Sequence, residues 1–210
     1  LFYRIRAGAV YTMKATALKM ASMKYRSDYR GRRLSISSIK KTMREKEKTL
    51  YTLSPSLCLK PPLAPRHTYI TGFFERMPPI GWQPGAGLLR FLKQHEKILF
   101  ITFGSMANPH PREKMTSILE VLKHHSVPAI IDVEGDGLEP VEAAPPHIFY
   151  TRHLPHGWLF PRVYAVMHHG GAGTTHMALK YGCPSLVIPH VLDQFTGKRR
   201  WHVCSWGQRA

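Results

Sequence analysis

The stretch Val166-Met-His-His-Gly-Gly-Ala-Gly-Thr-Thr-His176 decides the fold: an apolar strand runs straight into a glycine-rich turn, and a helix follows. Such a turn suits an anion. Gly170, Gly171 and Gly173 lack side chains, so backbone amides can approach phosphate oxygens, and the helix N-terminus adds unpaired N–H donors with roughly half a positive charge. Thr174 or Thr175 can cap the helix or donate a hydroxyl to the same oxygens, and His169 at the strand end can donate to a diphosphate. The match to a GxGxxG dinucleotide fingerprint is weak, because Thr-Thr-His176 follows Gly171-Ala-Gly173 where a third glycine is required. A P-loop is excluded, since no Gly-Lys-Ser/Thr follows. His168, His169 and His176 form a poor metal set, with no carboxylate or cysteine at ligand spacing. A tight turn with histidines at its edge is the plain alternative.

Outward from this loop the pattern alternates strand and helix. Strands are expected at 98–103, 127–133, 148–150, 164–167 and 185–188. Helices are expected at 111–125, with Met115, Ile118, Leu119 and Leu122 on one face, and at 174–181, stopped by Gly182; a helical turn lies near Trp158. Apolar strands separated by helices imply a parallel sheet covered on both faces, with ligands outside the carboxyl ends of its strands. At that edge the first strand ends in Gly104-Ser105, which can face the same cleft. A serine-hydrolase elbow does not fit, because in Phe103-Gly-Ser-Met-Ala107 neither of the two glycines of GxSxG is in place. Asp132-Val-Glu-Gly-Asp-Gly137 reads as a solvated turn, since Ala143 stands where a calcium loop needs its last glutamate. His153 and His156 follow a strand end where a base pocket can form. Asp193 and Gln194, after the last strand, pair a carboxylate with an amide, a combination suited to adjacent sugar hydroxyls.

The rest of the chain is less regular. With 210 residues and 43% hydrophobic content the chain can bury a real core. Lys and Arg number 30 against 13 Asp and Glu, and residues 1–50 alone hold 14 against 3, so the basicity is concentrated at one end. A solvated helix at about 35–48 or a basic arm accounts for it; anionic lipid or nucleic acid is the sharper alternative, and no RNA-binding or helix-turn-helix pattern supports specific nucleic acid recognition. Residues 54–87 are rich in proline and glycine and read as a connector, with one strand at 67–71; a short amphipathic helix follows at 88–95. Cys58, Cys183 and Cys204 form no CxxC pair, which argues against a disulfide framework or structural zinc and fits a reducing compartment. No apolar run reaches the roughly 20 residues that span a bilayer.

Seven stretches in order resemble one family. They are Leu50-Tyr-Thr-Leu-Ser-Pro55, Ile70-Thr-Gly-Phe73, Trp82-Gln-Pro84, Ile101-Thr-Phe-Gly-Ser-Met106, Leu154-Pro-His-Gly-Trp-Leu-Phe-Pro161, His168-His-Gly-Gly-Ala-Gly-Thr-Thr175, and Pro189 through Asp193-Gln194. Together they resemble GT-B glycosyltransferases of the UDP-glycosyltransferase superfamily, in the sterol glucosyltransferase and glycopeptide glycosyltransferase branch. The resemblance implies an α/β fold: a Rossmann-like parallel sheet with flanking helices, the C-terminal domain of a GT-B enzyme, preceded by a remnant of the N-terminal domain. It divides the chain into a basic segment and acceptor-domain remnant (1–72), a linker and short helix (73–96), an incomplete nucleotide-sugar domain (97–195) and an atypical tail (196–210).

The implied reaction transfers a hexosyl group from a UDP-sugar to a hydroxyl of a lipid, sterol or small-molecule acceptor, with inversion and without a metal or other cofactor. By position, Gly104, Ser105, His169, Gly170, Gly171, Gly173 and Thr174 would hold the diphosphate. His156 would lie by the nucleobase, and Asp193 and Gln194 would bind the sugar. The family's general base lies in an N-terminal region this chain largely lacks, so no catalytic residue is assigned. The tail also departs from the family pattern after about Thr196, and the chain is expected to be a fragment. A cytoplasmic location, with peripheral membrane contact, is the matching expectation. An inactive nucleotide-sugar-binding fragment and a basic polyanion-binding module remain the alternatives.

Overall fold

In the computed structural model of the chain the described residues are Thr16, 35–46, 48–57, 67–104, 109–141 and 145–190. The chain divides into two compact units, Leu1–Gly72 and Phe73–Ala210.

In the first unit a polar helix, α1 (Ile36–Lys46), precedes two short strands, β1 (Thr49–Tyr51) and β2 (Thr68–Ile70), which pair in parallel. Strand β1 was not expected. Its three residues carry no alternation of their own, and it exists because Thr68–Ile70 lies alongside with Leu50 opposite Tyr69.

The second unit holds a five-stranded sheet. Helix α2 (Ala86–Gln94) leads into β3 (Leu99–Thr102), followed by α3 (Pro111–His124), β4 (Ala129–Asp132) and β5 (Ile148–Thr151). Next come α4 (His156–Leu159), a 3-10 turn over Phe160–Arg162, β6 (Ala165–His168), α5 (Ala172–Lys180) and β7 (Ser185–Val187). All four strand pairings are parallel, and the order across the sheet is β5-β4-β3-β6-β7. The expected parallel α/β sheet is therefore present.

Burial of the strands on both faces follows from the pleat, which sends successive side chains to opposite sides. Phe100, Ile130 and Val166 pack on one side with Leu88 and Phe91 of α2, Leu159 of α4 and Met177 of α5. Ile101, Ile131 and Met167 pack on the other with Met115, Leu119 and Leu122 of α3. Phe100, Ile101, Ile130 and Ile131 are wholly buried, and each such side chain contributes about 1.5–3 kcal/mol relative to exposure. The thiol of the buried Cys183 donates to the carbonyl of Phe160 at 3.2 Å.

This order places the site. The chain lays β3, β4 and β5 outward in one direction, then returns to the other side of β3 with β6 and β7. The winding reverses between β3 and β6, the place where sheets of this kind bind ligands at the carboxyl ends of their strands. Thr102 and His168 stand opposite each other in register at that edge.

Candidate functional site at the carboxyl edge of the sheet

The glycine turn closes β6 against α5. Gly170 has φ +89°, a conformation that favours glycine, and its N–H donates to Nδ1 of the wholly buried His168 at 3.1 Å. That bond requires a neutral imidazole with Nδ1 as acceptor. Burial first, then the neighbouring His169 and His156, hold the pKa of His168 down at about 4, which keeps the ring neutral.

Helix α5 starts earlier than the sequence suggests. Gly171 is the N-cap in extended backbone without a side-chain cap bond, so Ala172, Gly173 and Thr174 form the first helical positions. The capping role expected of Thr174 or Thr175 is thus not taken; both are buried, and Thr175 Oγ1 has no hydrogen-bond partner among the described residues. The N–H groups of the first turn lack intrahelical acceptors and point out of the helix end.

Two glycines make room for His169. A Cβ on Gly104, whose φ is +60°, would stand 3.1 Å from Cε1 of that ring, and a Cβ on Gly171 would collide with its Nε2. Gly104 lies two residues past β3 and Gly171 follows β6, so the imidazole is seated where the two strand ends meet. Gly173, by contrast, faces open space, with nothing within 4 Å of a Cβ built there. The structure thereby brings Gly104, His169, Gly170 and Gly171 together at the switch point.

A second cluster lies one turn further along. Gly173, Thr174 and Met177 line a cleft of about 460 Å³ together with residues 153–157, Glu134 and, from the segment before α2, Phe73, Phe74, Arg76 and residues 77–79. His156 is half-buried, its ring edge-on to Phe100 at 5.7 Å and tilted on Phe160 at 5.1 Å. Burial lowers its pKa, with Glu134 opposing the shift, so it too favours the neutral ring. Ser105, Asp193 and Gln194 lie outside the described residues.

Sequence reasoning missed the β3/β4 side of the edge. Asp132 is not part of a solvated turn: it is 9% exposed, Thr102 Oγ1 donates to its Oδ2 at 3.0 Å, and the Glu134 amide donates to its Oδ1 at 3.1 Å. Thr102 Oγ1 in turn accepts from the Gly104 amide at 3.2 Å. Burial raises the Asp132 pKa, and these two hydrogen bonds oppose it. Glu134 carries the chain outward: Oε2 accepts the His153 amide at 3.2 Å, and Oε1 lies 2.8 Å from His153 Nδ1. His153 takes a left-handed φ of +56° in doing so. The only available signal was an Asp and a Glu two apart at the end of a strand on the ligand edge.

Among the described residues no group of three or more His, Cys, Asp or Glu is arranged to hold a metal, and no helix is long and apolar enough to cross a membrane.

Comparisons with known proteins fit this geometry. Residues 116–207 match the family described as "Erythromycin biosynthesis protein CIII-like, C-terminal domain". Among curated relatives, the sterol 3-beta-glucosyltransferase UGT80B1 of Arabidopsis thaliana is 40% identical over 115 residues, covering 54% of this chain and 19% of its own. The sterol 3-beta-glucosyltransferase UGT80A2 of the same plant is 37% identical over 151 residues, covering 71% and 24%. The chain thus spans only about a fifth to a quarter of those relatives. Among solved structures, Arabidopsis thaliana UGT89C1 complexed with UDP-L-rhamnose superposes with a TM-score of 0.61 at 18% identity, over 80% of this chain and 45% of that one. The fold is therefore that of a GT-B glycosyltransferase domain. Within that fold class the chain is similar, over the stretches given above, to sterol 3-beta-glucosyltransferases.

Proposed function

We propose that this chain carries the donor-binding part of a UDP-dependent hexosyltransferase that acts on a hydroxyl of a sterol-like lipid or small molecule. One observation supports the reading above all: His156, Gly173 and Thr174, three of the positions the family resemblance implicates, line a single cleft at the first turn of α5. The amides of that turn and the His169 imidazole would meet the diphosphate, with Ser105 and Gly104 on the opposite strand end. His156 would lie beside the nucleobase, and Asp193 and Gln194 would read the sugar. Curated relatives named as sterol 3-beta-glucosyltransferases and a structural neighbour complexed with UDP-L-rhamnose lend the substrate classes.

The chemistry follows from charge. In a displacement at the anomeric carbon with inversion, the leaving diphosphate gains negative charge, and preorganised N–H donors at a helix end stabilise it. His169 adds a donor next to the same oxygens, so the site can serve without a metal. The neutral His168 contributes by holding the Gly170 amide, which fixes the turn. A general base from another region would deprotonate the acceptor.

The proposal extends to a cytoplasmic enzyme in peripheral contact with a membrane, since residues 1–50 carry 14 Lys and Arg against 3 acidic residues. The donor reading is tested by calorimetric titration with UDP. Wild type binds, and His169→Ala weakens binding by about tenfold; no binding, or equal binding by the variant, contradicts it.

A further inference from the structure

The segment that precedes α2 is fixed to helices α4 and α5 rather than merely leading to the sheet. Phe73 stacks on His176 of α5 with ring centroids 4.5 Å apart and planes 11° from parallel. Glu75 forms an ion pair with Lys180, and Tyr181 Oη donates to Glu75 Oε1 at 3.3 Å. Gly157 gives that carboxylate its space, because a Cβ there would stand 2.5 Å from Glu75 Oε1. Trp82 lies edge-on to Trp158 of α4 at 5.3 Å. A carboxylate about a hundred residues distant in sequence thereby joins the segment to α5, whose first turn carries Gly173 and Thr174, and packs against α4, which carries His156.

Between the two anchors stands Arg76. It is exposed, lines the same cleft as Gly173 and Thr174, and forms no ion pair among the described residues. Among the described residues no other Lys or Arg lines the cleft. A guanidinium is permanently charged and presents a fork of donors that matches phosphate oxygens.

We infer that Arg76 binds the diphosphate of the nucleotide donor across the cleft from the first turn of α5, and that Glu75 is the positioning residue that holds it there. The inference rests on the donor reading above. It adds a cation to a cleft whose other charged group among the described residues is the carboxylate of Glu134, at the place where charge develops on the leaving group. Glu75 touches no reacting atom and acts only through the segment it fixes.

The test compares UDP with uridine, which lacks the phosphates, by calorimetry on the whole chain. Arg76→Gln, an exposed substitution that leaves the fold in place, weakens UDP binding by about tenfold and leaves uridine binding unchanged. Arg76→Lys recovers part of the loss. Glu75→Gln reproduces the selective loss for UDP, and combining it with Arg76→Gln adds little, because both remove the same contact. Wild-type binding of UDP with Arg76→Gln equal to it, or equal losses for UDP and uridine, overturns the role of Arg76 while leaving the donor reading intact. A Glu75→Gln variant that loses both ligands together overturns the positioning role. A wild-type chain that binds neither ligand removes the donor reading and this inference with it.

Discussion

The two halves of the sheet's carboxyl edge are built by opposite means. At the β3/β6 end, space is made by leaving side chains out: Gly104 and Gly171 open a seat for His169, and Gly170 takes a φ of +89° so that its amide meets His168. At the β3/β4/β5 end, a chain of side chains does the joining, from the Gly104 amide through Thr102 and Asp132 to Glu134 and His153. Gly104 belongs to both. The first device seats an imidazole and bends the backbone; the second joins neighbouring strand ends through its polar groups and gives rigidity. The contrast teaches that one half of the edge is shaped by absent side chains and the other is held by side-chain hydrogen bonds.

The largest expected effect breaks the first half by acid. His168 is held at about 4 against an ordinary 6.5, so the folded chain keeps it neutral while the unfolded chain protonates it. Stability from this group is complete above pH 6.5, falls as pH drops from 6.5 to about 4, and the loss amounts to about 3 kcal/mol. Denaturant unfolding across that window measures it, and His168→Asn flattens the decline. The lowered pKa of His156 acts in the same direction.

The next perturbation breaks the second half. Asp132→Ala leaves the Thr102 hydroxyl and the Glu134 amide without their buried acceptor, at a cost of about 2 kcal/mol in urea unfolding. Equal stability of wild type and variant would mean that the buried chain gives no rigidity. Two glycines then sharpen the comparison, because they are expected to differ in sign. Gly104→Ala meets both a left-handed φ and the His169 ring, and destabilises by about 1–2 kcal/mol. Gly173→Ala sits in the first turn of α5 with open space around it, and stabilises the helix by up to about 1 kcal/mol. Thermal unfolding of the two variants side by side separates a glycine that the fold requires from one that it does not. The smallest effect is expected at the rim: Glu134→Gln shifts stability by less than about 1 kcal/mol, since His153 and Glu134 are 77% and 46% exposed.

Legibility followed the same division. Glycines near a strand end announce backbone geometry by themselves, so the β6 turn, its helix and the parallel sheet could be read from local pattern. The start of α5 was misplaced by two residues because Gly171 caps it without a side chain, leaving the two threonines as the visible but wrong signal. Asp132 was misread for a different reason. Asp-Val-Glu-Gly-Asp-Gly has the composition of a solvated turn, and only Thr102, thirty residues earlier, makes it a buried acid. Glu75 was invisible in the same way, since its partners Lys180 and Tyr181 stand more than a hundred residues away. Local rules report where backbone is special; they do not report which carboxylate a distant strand or helix will cover.

The central claim is that the first turn of α5 and the glycine turn before it receive a nucleoside diphosphate. Titrating UDP into isotopically labelled chain and following backbone amide resonances tests it most directly. The account predicts that the amides of Gly170, Gly171, Gly173 and Thr174 shift together and saturate, while those on the far face of the sheet, such as Leu119 in α3, stay in place. Saturable shifts that spare these four amides, or no shifts at any UDP concentration, would contradict it.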